Sequence, residues 1–71
     1  MMSRKTVRNE AYKWAWSMVL GQSIAQLRVR REDVTEEVGE IVYGLGVDTD
    51  TAFGAIYTAI DDRIIELEKG K

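Results

Sequence analysis

Between Phe53 and Leu67 the apolar residues recur every three or four positions: Phe53, Ile56, Tyr57, Ile60, Ile64 and Leu67. Only an α-helix, at about 3.6 residues per turn, places such a set on one face. The spacing predicts a helix over about 50–69, capped by Thr49 or Asp50 from the turn VDTDT. No Pro is present to interrupt it. Gly54, near the start of this helix, costs about 1 kcal/mol relative to Ala. Its expected use is close packing against the preceding helix.

That preceding stretch carries the same period. Val34, Val38, Ile41, Val42 and Leu45 form a second stripe and predict a helix over about 34–45. Asp33 or Thr35 is placed to cap it, and Asp33 with Glu36 has capping-box spacing. Glu36 and Glu37 fall in the first turn, where the helix dipole favours acids. Gly46 is the expected stop. The two helices read as a tight hairpin.

The N-terminal segment, about Ser3 to Arg30, is apolar on two faces. Val7, Ala11, Trp14, Ala15, Met18, Ala25 and Val29 share one; Tyr12, Trp16, Val19, Leu20, Ile24 and Leu27 share another. A strip of Glu10, Ser17, Gly21 and Arg28 stays polar or small. The pattern predicts one long helix over about 4–30, with Ser3 as its cap. The chain is thus expected to be all-α: a single domain, residues 1–71, with a long N-terminal helix and a C-terminal helical hairpin.

Seventy-one residues make a marginal core. Small domains are commonly reinforced by disulfides, a metal or a partner chain. The chain has neither Cys nor His, so disulfides and the commonest zinc ligands are excluded. Oligomerisation remains, and a homodimer is expected. Trp14 and Trp16 stand about 200° apart on a helix. One of their faces can pack on the hairpin, and the other is expected to meet another chain unless the bundle wraps the helix on both sides. Aromatic residues anchor interfaces, and the candidate interface set is Tyr12, Trp14, Trp16, Met18, Leu20, Ile24 and Leu27.

Little in the sequence points to catalysis. Ser3, Ser17 and Ser23 have no His to activate them. Asp48 and Asp50 read as turn and cap residues, and Asp61/Asp62 and Glu36/Glu37/Glu40 lie beside the apolar stripes. GLG has no following Lys and no preceding strand, so it is no phosphate loop. No enzyme activity, cofactor or metal is expected. No apolar run approaches the roughly 18 residues of a membrane span. Arg4, Lys5 and Arg8 precede an apolar stretch in the manner of a signal peptide, but Glu10 and Lys13 interrupt it and no cleavage site follows. A cytoplasmic location without membrane association is expected.

Charge is divided along the chain. Up to Arg31 there are seven basic residues against one acid; beyond it, eleven acids against three bases. Such a division marks either pairing between segments or a basic surface for an acidic partner. Gln26, Arg28, Arg30 and Arg31 are the candidate contacts for nucleic acid or an acidic partner. Read as a strand, QLRVRRED alternates Leu27 and Val29 with Gln26, Arg28 and Arg30. With Val34, Val38, Ile41 and Leu45, then GVDTDT, then Phe53, Ile56 and Ile60, it resembles the ribbon-helix-helix repressors over Gln26 to Leu67. That resemblance implies a dimer whose paired strands present Gln26, Arg28 and Arg30 to bases. LGVDTDTAFGAI also resembles ubiquitin-associated three-helix domains. Two functions are therefore carried forward. The first is a non-enzymatic regulatory or inhibitory binding module with an unidentified protein partner, dimerising through its first helix. The alternative is a ribbon-helix-helix-like transcriptional regulator with residues 26–30 as its reading strand.

Overall fold

A computed structural model describes residues 4–70 of the chain. Helix α1 spans Arg4–Val19, α2 Ile24–Glu32, α3 Thr35–Leu45 and α4 Thr49–Lys69. The fold is all-α, and no strand occurs among the described residues. The Ser3 cap expected for the first helix lies outside them.

The single helix expected over 4–30 is instead two, which makes four helices among the described residues rather than three. Gly21 takes a left-handed backbone, with φ of 84°, a conformation that glycine adopts without steric cost. The Gln22 side chain turns back and donates to the Met18 carbonyl at 2.9 Å, satisfying one of α1's terminal acceptors. Ser23 then starts α2 with a capping box. Its hydroxyl accepts from the Gln26 N–H at 3.2 Å, and the Gln26 side chain accepts from the Ser23 N–H at 2.8 Å. Residues 26–30, which the ribbon reading requires as a strand, are helical and lie inside α2.

The later boundaries follow local chemistry more closely. Gly46 ends α3 in the left-handed region, its N–H donating to the Val42 carbonyl at 2.8 Å. The residue in the cap position of α3 is Val34, not Asp33 or Thr35. Asp33 nevertheless accepts from the Thr35 N–H at 3.1 Å and from its hydroxyl at 2.7 Å. Asp48, one residue earlier than expected, caps α4 by accepting from the Thr51 N–H at 2.7 Å.

The core explains where the tryptophans go. On α1 the fully buried residues are Ala11, Ala15 and Val19; on α4 they are Ala52, Ile56, Ala59 and Ile60, with Ala55 nearly so. Small residues at a crossing let two helix axes come close together. Leu27, Val34, Val38 and Ile41 complete the core from α2 and α3. Trp14 and Trp16 bracket the buried Ala15, each about 100° to one side of it. Neither sits in the core, and each covers a different flank of the α1 packing.

Direction follows from contacts. Arg4 and Arg8 stand near Asp48 at the start of α4, and Tyr12, further along α1, reaches Asp62. Thus α1 and α4 run side by side in the same sense. α3 runs against both, its end at Leu45 sharing a groove with the first turns of α1. α2 packs against α4, where Arg31 meets Asp61.

Candidate functional site

The flank of α1 that carries Trp14 meets α3. The Trp14 indole lies over Gly44: a Cβ there would stand 2.8 Å from Cζ2 and 2.9 Å from Cζ3, and nearer still to Cη2. The sequence predicts close packing at Gly54, against the preceding helix, rather than at Gly44. Nothing lies within 4 Å of a Cβ built at Gly54, so that expectation is corrected. Glycine at 44 makes a shelf for the ring, and 37 % of Trp14 remains exposed above it. Next to Gly44, Tyr43 is 92 % exposed. It lies two residues from both Ile41 and Leu45, about 200° round the helix from each, so its outward direction is written in the α3 stripe.

The other flank is tied down within the chain. Tyr12 and Trp16 stack with ring centroids 6.1 Å apart and planes 21° from parallel. The Tyr12 hydroxyl donates to Asp62 at 2.7 Å. That hydrogen bond, reinforced by burial and by the charges of Asp62 and Glu66, holds the Tyr12 hydroxyl above its ordinary pKa. Of the remaining expected interface residues, Met18 and Ile24 are half-buried, Leu20 is 49 % exposed, and Leu27 is wholly inside the core. Leu27 therefore has no surface to offer a second chain. Val29 and Ile65 are further exposed apolar residues, outside the expected set.

The expected polar contacts fare differently from one another. Gln26 is engaged in the α2 capping box. Arg30 pairs with Glu37. Arg31 grips Asp61 through Nε at 2.8 Å and a second nitrogen at 3.4 Å, and lies over the Tyr57 ring at 5.3 Å. The Asp61 carboxylate, through that hydrogen bond and its charge, pushes the Arg31 guanidinium up. Arg28 alone has no hydrogen-bond or ion-pair partner among the described residues. Two of the early bases, Arg30 and Arg31, thus pair with late acids across the fold, and Arg4 and Arg8 stand near Asp48.

Two concavities border these features. A groove of about 980 Å³ runs between the starts of α1 and α4, with Arg4 and Arg8 on one wall and Asp48 and Asp50 on the other. The Thr51 hydrogen bonds, aided by Arg4 and Arg8, hold Asp48 below the usual carboxylate range. A smaller pocket of about 310 Å³ lies at the end of α1 beside α3, lined by Met18, Gln22, Arg30, Glu36, Glu37 and Glu40. Met18 is one turn beyond Trp14, and Glu40 one turn before Gly44, so this pocket continues the Trp14 seam.

No helix among the described residues is long and apolar enough to cross a membrane. No protein-family model matches this chain, and no curated protein or solved structure is similar to it.

Proposed function

We propose that the protein is a small, non-enzymatic binding module that acts by docking another macromolecule on the seam between α1 and α3, with Trp14 as the anchor. The observation that carries this reading is the position of Trp14. A large aromatic ring laid on a glycine shelf, with its outer face in solvent, is the kind of residue that dominates interface energies. Tyr43, next to Gly44 in the chain, adds a second exposed ring on α3. Unlike Tyr12 and Trp16, these two rings make no stacking contact among the described residues.

The simplest occupant is a second copy of the chain, packed about a two-fold axis. Sedimentation equilibrium from micromolar to several hundred micromolar tests this. Wild type is expected to associate, and Trp14→Ala to shift it toward monomer. Trp16→Ala is expected to leave association in place while weakening the fold through Tyr12. A wild type that stays monomeric throughout the range rejects the dimer.

A further inference from the structure

The outer face of the α1/α3 layer carries a base and a half-exposed apolar side chain on one helix, and acids and an open glycine on the other. On α1, Lys13 lies about 200° round the helix from both Ala11 and Ala15, opposite the buried face. Leu20, whose N–H continues the helix by donating to Trp16, shares that outer strip and is half-exposed. On α3, Glu36, Gly39 and Tyr43 each lie about 200° from Val38 or Ile41 of the core. Gly39 sits inside α3, where glycine weakens a helix, yet nothing lies within 4 Å of a Cβ built there. Trp14 over Gly44 sets the two antiparallel helices level. Counting about 1.5 Å per residue from that level, Leu20 stands about 9 Å along α1, and Gly39 about 7.5 Å in the same direction on α3. Met18 and Glu40 line one pocket, as this count requires. Glu36 and Glu40 are exposed and have no hydrogen bond or ion pair among the described residues. Lys13 is exposed and meets only Glu10 of its own helix, at 3.7 Å. Two copies that laid α3 on α3 would bring their acids together, and like charges across an interface repel. Laying α1 on α3 avoids this and offers the acids a lysine.

We propose that the occupant of the Trp14 seam is a second copy of this chain, related by a two-fold axis parallel to α1, so that α1 of each copy lies along α3 of the other. This deepens the binding-module reading and rests on it, naming the partner and its orientation. Rotation about that axis leaves every height along the helices unchanged. Leu20 of one copy therefore comes over Gly39 of the other, where the missing side chain leaves room for it. Lys13 of each copy faces Glu40 of the other, and Tyr43 comes beside Trp14 across the interface. Because the axis repeats each contact, every one of them is made twice.

The test is sedimentation equilibrium of the full chain from micromolar to several hundred micromolar, with thermal melting by circular dichroism to show that each variant folds. Lys13→Glu alone and Glu40→Lys alone are each expected to weaken association about tenfold, since each sets like charges against each other twice per dimer. An equimolar mixture of these two single variants is expected to associate as tightly as wild type, because both cross-copy pairs of the mixed dimer are again opposite in charge. Gly39→Leu is expected to abolish association without lowering the melting temperature: leucine is the better helix former and fills space that is open within the chain. If Trp14→Ala dissociates the chain while the charge variants and Gly39→Leu associate like wild type, the seam stands as a docking site and this arrangement is overturned. A mixture that associates no more tightly than the single variants overturns it too. A wild type that stays monomeric overturns it together with the second copy as occupant.

Discussion

The Trp14 ring rests on Gly44, thirty residues away in sequence, so closely that an added Cβ would stand 2.8 Å from Cζ2. Two opposing effects meet at this position. Alanine is a better helix former than glycine by about 1 kcal/mol, but it displaces the indole. In wild type, Gly44→Ala is expected to be neutral or destabilising, with Trp14 lifted off α3. In a Trp14→Ala background the obstruction is gone, and the same change is expected to stabilise by up to about 1 kcal/mol. The coupling, read from a double-mutant cycle by urea denaturation, is expected at about 1 kcal/mol or more. Gly54→Ala serves as the reference: open space surrounds it, so it should stabilise in both backgrounds. Equal effects of Gly44→Ala with and without Trp14 would show that the ring does not rest there.

The break between α1 and α2 depends on two residues with separate roles. Gly21→Ala forces a left-handed backbone on an L side chain and is expected to cost about 1–2 kcal/mol. Ser23→Ala removes the cap and is expected to cost about 1 kcal/mol. Thermal unfolding reads both as falls of roughly 4–8 °C per kcal/mol for a chain this size. Neither variant is expected to gain helix by circular dichroism. A rise in helical signal together with higher stability in Gly21→Ala would mean that α1 and α2 prefer to be one helix.

Stability is expected to fall at both ends of the pH scale. Asp33 is held below its ordinary pKa by the hydroxyl and N–H of Thr35, and Asp48 by those of Thr51. Groups with a lowered folded pKa stabilise fully above their unfolded value, about pH 4, and lose that contribution as pH drops through the folded pKa. Tyr12 has the opposite sign: its raised pKa stabilises below about pH 10 and is lost as pH rises through the folded value. Asp48→Asn keeps a capping oxygen without the charge and should flatten the acid limb. Tyr12→Phe should flatten the alkaline limb. Unchanged slopes in chemical denaturation across pH would separate these groups from the pH dependence.

The stripes of α3 and α4 were legible because each helix buries one continuous face, Val38 and Ile41 in one, Ile56 and Ile60 in the other. The break after α1 was written in the sequence too, as Gly21 and the capping box SIAQ. It was masked because Trp16, Leu20, Ile24 and Leu27 stay in helical phase across it. The strand reading of residues 26–30 failed for the same reason: alternation over five residues fits two periods, and the Ser23–Gln26 cap decides between them. The fates of Arg30 and Arg31 were not legible, since Glu37 and Asp61 reach them only through the fold. The choice between Gly44 and Gly54 likewise rests on Trp14, on another helix.

In the proposed function another chain lands on the outer face of Trp14. Tryptophan fluorescence in a Trp16→Phe variant reads it alone, with phenylalanine keeping a ring against Tyr12. Acrylamide quenching is measured as protein concentration rises from micromolar to several hundred micromolar. Quenching is expected to fall and emission to shift to shorter wavelength as the face is covered. Association detected by sedimentation with Trp14 still equally open to the quencher would contradict the claim.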